Sequence, residues 1–109
     1  MGTSLKSLLG WLDDTLQPGR FRDYCPNGLQ VEGRAQVSKL ATAVTANQGV
    51  LDKAIAWGAD ALLVHHGYFW KGETEAVVGM KRKRLAALLG NDVSLLAYHL
   101  PLDAHPQLG

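Results

Sequence analysis

The spacing of apolar residues along the chain predicts three helices. Leucines at positions 5, 8, 9, 12 and 16 fall on one face of a helix over residues 4–16. The same periodicity predicts a helix over residues 47–57, whose apolar stripe includes Trp57 and which Gly58 ends. A third helix is predicted over residues 78–89. In this helix the interior positions are expected to be Leu85, Leu88 and Leu89.

Four shorter apolar stretches predict strands. They cover residues 28–32, 37–45, 61–64 and 93–98. The third is a continuous apolar run, which is typical of a strand covered on both faces. Strands that alternate with helices favour right-handed crossovers. We therefore predict an α/β fold with a doubly wound, mostly parallel sheet and helices on both faces, forming a single domain over residues 1–109.

Composition agrees with that fold and excludes several classes of protein. The 109 residues are 47% hydrophobic and carry a formal net charge of +1, which is typical of one soluble globular domain. No apolar run reaches the roughly 18 residues of a membrane span, and aspartates interrupt the N-terminal segment where a signal peptide needs its apolar core. We therefore expect a cytoplasmic protein without membrane contact. The single Cys25 excludes an internal disulfide and a thiolate-only metal site, and we expect it to fill space in the core.

The histidines are the candidate chemical groups, because they cluster at two places in the sequence. His65 and His66 follow the third predicted strand, and His99 follows the fourth, four positions before Asp103. Ligands of doubly wound sheets bind at the carboxyl ends of strands, so these side chains converge if the two strands are neighbours. Imidazoles with a carboxylate suit Zn, Fe, Mn or Ni. The alternative is that each histidine is only hydrogen-bonded or solvated, as most histidines after a strand are.

Adjacent histidines within a strand point to opposite faces of the sheet, so His65 and His66 need a further explanation. A turn that starts at the strand end, helped by Gly67, would bring both rings to one side. Alternatively, each ring could bind a different ion of a pair, with an aspartate bridging the two ions.

Three other features are expected to have no catalytic role. The basic run at residues 81–84 (KRKR) is interpreted as a solvated helix surface, with binding of a nucleotide phosphate as the alternative. The aromatic run at residues 68–70 (YFW) is interpreted as cover for a core edge or an oligomer interface, although it could stack on a base. His105 is expected to be solvated. With 11 Lys and Arg against 10 Asp and Glu, net charge gives no reason to expect nucleic acid as a partner.

Three blocks of the sequence resemble a known protein family. They are residues 23–31 (DYCPNGLQV), residues 58–67 (GADALLVHHG) and residues 98–106 (YHLPLDAHP). In this order they are similar to the blocks of the NGG-interacting-factor-three-like family, whose members are often called GTP cyclohydrolase 1 type 2 homologs or dinuclear metal-centre proteins. The resemblance implies an α/β fold that assembles into a homo-oligomeric ring, commonly a hexamer, with two divalent metal ions per subunit facing an internal cavity.

The resemblance also implies roles for individual residues. His65 and His66 match metal ligands of the family, and Asp103 matches a ligand that bridges the two ions. His99 falls on a position of the same site, to which we assign proton transfer or support of the ligands. The family's remaining histidine and glutamate ligands come from a later segment, whereas this sequence has no glutamate after Glu75. The chain is therefore expected to resemble the N-terminal half of a longer family member, with a metal site that is partial or absent.

Two functions from different classes follow from the resemblance. The first is a metal-dependent hydrolase similar to GTP cyclohydrolase 1 type 2, acting on GTP or another nucleotide and incomplete in this chain. The alternative is a non-catalytic metal-binding or scaffold protein that acts through its homo-oligomer and its protein partners. Metal content separates the two, since two equivalents per chain would favour the enzyme.

Overall fold

The described part of the chain forms four α-helices and six strands. The structure is a computed structural model and describes residues 2–20, 22–23, 26–70 and 75–106. The helices are α1 (Leu5–Leu16), α2 (Gln48–Trp57), α3 (Gly79–Gly90) and the single turn α4 (Leu100–Asp103). The strands are β1 (Thr3–Ser4), β2 (Gly28–Val31), β3 (Gln36–Val37), β4 (Leu40–Thr45), β5 (Ala61–His66) and β6 (Ser94–Ala97). Among the described residues, no helix has the length and apolar character needed to cross a lipid bilayer.

The ends of α1 and α2 are set by local side-chain chemistry. The hydroxyl of Ser4 accepts a hydrogen bond from the backbone N–H of Ser7 at the start of α1. The side chain of Asn47 accepts from the N–H of Val50 in the same way at the start of α2. Gly58 ends α2 in the left-handed region, with φ of 84°, where a Cβ would be strained. The three long helices therefore agree with the predicted ones to within one residue at each end.

The main sheet has four strands in the order β2-β6-β5-β4. Strands β4, β5 and β6 run parallel, whereas β2 is antiparallel to β6. The fold is α/β as predicted, and its sheet is mixed because the predicted strand over residues 28–32 joins as an antiparallel edge. The doubly wound arrangement with helices on both faces stays a prediction at this point.

The prediction of one continuous strand over residues 37–45 is wrong. The segment forms β3 and β4, with Ser38 and Lys39 between them. Both of these residues donate their backbone N–H to the carboxylate of Asp60, at 2.8 and 3.0 Å, instead of to a neighbouring strand. Strand β3 pairs antiparallel with β1 in a separate two-stranded sheet, and β4 forms an edge of the main sheet.

Two clusters of buried side chains join the helices to the sheet. The first joins α2 and α3 to β5 and β6, and its members include Leu51, Leu62, Val64, Leu85, Leu88, Leu95 and Ala97. The second joins α1 to the same strands, and its members include Leu5, Leu12, Leu16, Ala61, Leu96 and Tyr98. Successive residues of β6 thus enter different clusters, as the alternation of a strand requires. Leu89 and Trp57 are 57% and 53% exposed, so the prediction that they face the interior is wrong.

Candidate metal centre

The two histidine clusters of the sequence meet at one end of the main sheet. Strands β5 and β6 are parallel neighbours, and their pairing ends at Val64 and Ala97. The two strands therefore leave the sheet at the same edge, where β5 ends in His65 and His66, and His99 follows β6. The prediction that these histidines converge if their strands are neighbours is confirmed.

The three imidazole rings lie close to one another. Their ring centroids are 4.4 Å apart for His65 and His66, 4.7 Å for His65 and His99, and 5.4 Å for His66 and His99. One ring nitrogen from each histidine lies within 4.8 Å of those from the other two. Strand β5 continues through His66, so no turn lies between the two adjacent residues, and their rings approach each other without the turn that the sequence analysis offered as an explanation. This histidine cluster could hold a metal ion.

Asp103 reaches the histidine cluster because the chain makes one helical turn after His99. The backbone N–H of Asp103 donates to the carbonyl of His99 at 3.2 Å, which brings Asp103 back over the start of the turn. Its carboxylate accepts a hydrogen bond from Nε2–H of His65 at 3.0 Å. The side chain of Asp103 is 57% exposed, whereas that of His65 is 19% exposed. Asp103 therefore borders the cluster on its solvent side.

The surroundings of His66 favour the neutral form that a metal ligand requires. Its Nδ1 lies 3.2 Å from the hydroxyl oxygen of Thr45 on the neighbouring strand β4. Burial lowers the pKa of His66, and the charges of His65 and His99 lower it further, while the carboxylate of Asp103 acts in the opposite direction. Because only the neutral imidazole binds a metal, this shift favours coordination.

His99 is held by two residues that the sequence analysis did not identify as functional. The carboxylate of Asp23 accepts a hydrogen bond from Nδ1–H of His99 at 2.8 Å. The side-chain oxygen of Asn27 accepts from the backbone N–H of His99 at 2.7 Å. Both residues precede β2, whose antiparallel pairing with β6 brings them beside His99. Both residues lie in the block at residues 23–31 that resembles the family, and this block is the sequence signal that points to them.

The aromatic run at residues 68–70 has two different environments. Tyr68 is buried in the core, and its hydroxyl donates to the carbonyl of Ala46 at 2.6 Å. Burial raises the pKa of Tyr68 to about 12, so this hydroxyl remains a donor. The ring of Trp70 lies 5.0 Å from that of His99 in an edge-to-face arrangement. The interpretation as cover for a core edge therefore fits Tyr68, whereas Trp70 forms a wall of the histidine cluster.

Gly67 allows the chain to pass close to β2 directly after the histidines. A Cβ at this position would collide with the side-chain oxygen of Gln30 and would lie 2.9 Å from the Cβ of Ala97. The same oxygen of Gln30 accepts the backbone N–H of Tyr68 at 2.7 Å. A larger residue would therefore push the end of β5 away from its neighbours.

The remaining residues singled out in the sequence are not members of the histidine cluster. His105 is half-buried after α4, not fully solvated as expected. In the basic run Arg82 and Lys83 are exposed, whereas Lys81 is half-buried, with its amine 4.5 Å from the ring centroid of Phe69. The interpretation of this run as a solvated surface therefore fits only part of it. Cys25 lies outside the described residues.

The donor set fits a divalent transition metal. Imidazole suits Zn, Fe and Ni, and a carboxylate extends the range to Mn. Two of the imidazoles are hydrogen-bonded to carboxylates, His65 to Asp103 and His99 to Asp23. Such hydrogen bonds orient the ring of a metal-ligating histidine and make its other nitrogen more basic.

Known proteins resemble this chain over its whole length. Residues 3–109 match the family described as Duf34/NIF3 (NGG1p interacting factor 3). A curated protein of Pseudomonas aeruginosa, named GTP cyclohydrolase 1 type 2 homolog, is 59% identical over 109 residues, which are 100% of this chain and 43% of that protein. A protein of the same name from Escherichia coli K12 is 55% identical over 98% of this chain and 42% of its own length. The chain thus spans about two fifths of the length of these relatives.

Solved structures share the fold. A structure described as protein ybgI of unknown function has a TM-score of 0.96 and 53% identity, over 98% of this chain and 43% of that chain. A crystal structure of a protein from Thermus thermophilus has a TM-score of 0.93 and 41% identity, over 98% of this chain and 44% of that chain. The mixed sheet and its helices therefore also occur in longer proteins.

Proposed function

Because this chain belongs to the Duf34/NIF3 family, we propose that it supplies metal ligands to a dinuclear, metal-dependent hydrolase. The observation that carries the proposal is the histidine cluster, in which ring nitrogens of His65, His66 and His99 lie within 4.8 Å of one another. The proposed ligands are His65, His66 and Asp103, as the family resemblance implies. The position of His99 in the cluster makes it a further candidate ligand.

The chemistry of the proposed reaction is hydrolysis. When bound, a divalent cation lowers the pKa of water towards neutrality and polarises an electrophilic group. The chain's own side chains would hold the cation and control protons around it. The hydrogen bond between Nε2–H of His65 and the 57% exposed Asp103 lies where the cluster meets solvent, so water can reach this pair. The ring of Trp70 packs against that of His99 on another side of the cluster.

The proposed substrate is GTP or another nucleotide, on the strength of the relatives' name. Lys81, whose amine lies 4.5 Å from the ring centroid of Phe69, is the proposed cation for a phosphate of this substrate. The further ligands, the second metal ion and the homo-oligomeric ring belong to the proposal for the longer family members, of which this chain spans about two fifths. The doubly wound arrangement with helices on both faces is proposed for this chain itself, supported by its two core clusters.

Metal titration of this chain tests the proposal. We expect the metal-free chain to bind Co²⁺, with an absorption spectrum typical of nitrogen ligands. His65→Ala, His66→Ala and His99→Ala should each weaken Co²⁺ binding by at least about tenfold, since removing even a residue that only supports a ligand has effects of that size. His105→Ala is the matched control, because it removes an imidazole outside the histidine cluster and should leave binding unchanged.

Two results would contradict the proposal. One is a variant that combines His65→Ala, His66→Ala and His99→Ala and still binds Co²⁺ as tightly as the wild type. The other is a metal-loaded chain whose GTP hydrolysis, alone or with the remaining part of the Pseudomonas aeruginosa relative, does not depend on His65 and Asp103.

A second candidate function is a metal-binding scaffold without catalysis. The observation in its favour is a short run of exposed apolar side chains at the start of α3, where Val77, Val78 and Met80 are 49%, 62% and 64% exposed. Neighbouring apolar side chains at a surface are typical of contacts with a protein partner or a second copy. Metal binding without GTP hydrolysis, together with self-association that Val78→Asp abolishes, would favour the scaffold over the hydrolase.

A further inference from the structure

A buried carboxylate lies behind the histidine cluster and has a different donor at each oxygen. The side chain of Asp23 is only 2% exposed. Its Oδ1 accepts from Nδ1–H of His99 at 2.8 Å. Its Oδ2 accepts from the backbone N–H of Leu100 at 2.8 Å and from the side-chain amide of Asn27 at 3.1 Å. Asp23 therefore contacts both the imidazole of His99 and the backbone that follows it.

The position of His99 is fixed from a second direction as well. Its backbone N–H donates to the side-chain oxygen of Asn27 at 2.7 Å. Asn27 thus accepts from His99 with its oxygen and donates to Asp23 with its nitrogen. Asp23 does not belong to the group that could hold the metal. The contacts of Asp23 and Asn27 bear on the orientation of the ring of His99 and not on direct coordination.

The hydrogen bond to Asp23 also determines which nitrogen of His99 carries the proton. An ionised carboxylate only accepts hydrogen bonds, so the neutral ring of His99 must carry its proton on Nδ1. The lone pair is then on Nε2. A neutral imidazole binds a metal through the nitrogen that has the lone pair, and its other nitrogen commonly donates to a carboxylate.

We propose that Asp23 is a positioning residue that holds His99 as the Nδ1–H tautomer and so presents the Nε2 lone pair to a cation shared with His65 and His66. This inference rests on the proposed metal-binding function. It assigns a role to the first residue of the block at residues 23–31. It also makes His99 a metal ligand and leaves it no free Nδ1 for proton transfer.

The substitution Asp23→Asn reverses the direction of the hydrogen bond between residue 23 and His99 without changing the size of the side chain. Two donors, Leu100 N–H and the amide of Asn27, point at the Oδ2 position and require an oxygen there. The new NH₂ group must then face Nδ1 of His99, which has to accept a hydrogen bond. His99 becomes the Nε2–H tautomer and loses the lone pair that faces the cluster. We expect Co²⁺ affinity to fall by about 10- to 100-fold.

The tautomer is measured directly on the metal-free chain. Two-bond ¹H–¹⁵N correlation spectra of the ¹⁵N-histidine-labelled protein distinguish Nδ1–H from Nε2–H rings at mildly alkaline pH, where free imidazole is neutral. The spectrum of His99→Ala assigns the signals of His99. We expect Nδ1–H in the wild type and Nε2–H in Asp23→Asn. Asp13→Asn is the matched control, because Asp13 accepts from the hydroxyl of Tyr98, next to His99 in sequence, at 2.8 Å.

The outcomes separate this inference from the proposed function. Nε2–H at His99 in the wild type overturns the inference, and this measurement needs no variant to fold. A reversed tautomer in Asp23→Asn with unchanged Co²⁺ affinity overturns it too. Nδ1–H in the wild type without any Co²⁺ binding overturns the proposed metal function while the tautomer assignment stands. A tenfold or larger loss of affinity in Asp23→Asn, with none in Asp13→Asn, supports both.

Discussion

The two ends of the main sheet each contain a carboxylate with little solvent exposure, and the two are used differently. At the amino end, directly before β5, the side chain of Asp60 is 12% exposed and pairs with Arg34 at 2.9 Å. It also accepts the backbone N–H groups of Ser38 and Lys39. At the carboxyl end, Asp23 accepts from an imidazole as well as from backbone. Both carboxylates accept hydrogen bonds at both oxygens. Only Asp23 is bonded to a group, the imidazole of His99, whose other nitrogen can bind a ligand.

The donors explain the difference in role. Backbone N–H groups and a guanidinium only donate hydrogen bonds, so the groups bonded to Asp60 have no lone pair with which to bind a metal ion. Arg34 extends it by donating to the backbone carbonyls of Asn91 and Asp92, which ties the start of β6 to the same point. The hydrogen bonds from Ser38 and Lys39 are the largest cause that lowers the pKa of Asp60, and Arg34 lowers it further against the effect of burial. The amino end is therefore a structural network, and the carboxyl end is the candidate site.

The largest expected effect comes from removing the carboxylate of the amino end. Asp60→Ala leaves the N–H groups of Ser38 and Lys39 and one guanidinium nitrogen of Arg34 without their acceptor. Hydrogen bonds to a charged group contribute more than neutral ones, and a donor without a partner is costly. We therefore expect the free energy of unfolding to fall by about 2–4 kcal/mol, measured by urea denaturation. The Co²⁺ affinity of the folded fraction should not change.

Asp52→Ala is the control for this variant. Asp52 is an exposed aspartate on α2 that accepts a hydrogen bond from Gln48, so its loss should cost less than about 0.5 kcal/mol. Equal stability of the two variants would show that the Asp60 network is not structural. The contrast between the two ends of the sheet would then fail.

The opposite pattern, weaker Co²⁺ binding with little change in stability, is expected for Asp103 on the solvent side of the site. The side chain of Asp103 is 57% exposed, so its hydrogen bond with His65 contributes to stability no more than an exposed ion pair does. Asp103→Asn should therefore change the free energy of unfolding by less than about 1 kcal/mol. Loss of this proposed ligand should nevertheless weaken Co²⁺ binding by about tenfold or more. Urea denaturation and Co²⁺ titration of the same preparation measure both effects.

Asp14→Asn, at an exposed position of α1, is the matched control for Asp103→Asn and should change neither quantity. If Asp103→Asn lowered stability as much as Asp60→Ala while Co²⁺ binding stayed the same, the carboxyl end would be a second structural network. The proposed ligand set would then lose its carboxylate.

The elements that the sequence predicted well depend on local chemistry. The three long helices begin and end within one residue of their predicted bounds, because apolar spacing and caps such as Asn47 and Gly58 act within a few residues. The elements that it predicted poorly depend on distant partners. The strand over residues 37–45 is divided because Asp60, 21 and 22 positions away, takes two of its N–H groups. No local pattern contains that information.

The candidate site divides in the same way. His65, His66 and His99 could be grouped from the sequence because each follows an apolar run, and neighbouring parallel strands end at one edge. Asp23 could not be found by that reasoning, since it is separated from His99 by 76 positions and meets it only through the antiparallel pairing of β2 with β6. The predicted parallel sheet gave no reason to place residues 23–31 at the site.

The smallest expected effect is a pH dependence of stability at the amino end. The folded-state pKa of Asp60 is lowered from its ordinary 3.8, so below that pH the unfolded chain binds more protons than the folded one. The contribution of the Asp60 charge is therefore complete above pH 3.8 and is lost as the pH falls through the lowered pKa. Asp60→Asn cannot ionise, so the stability gap between wild type and this variant should be constant from pH 7 to about 5 and should narrow below about 4. Urea denaturation across this range measures the gap. A gap that stays constant down to the acid limit of folding would mean that ionisation of Asp60 contributes nothing to stability, and that the shape of its side chain, not its charge, makes the amino end structural.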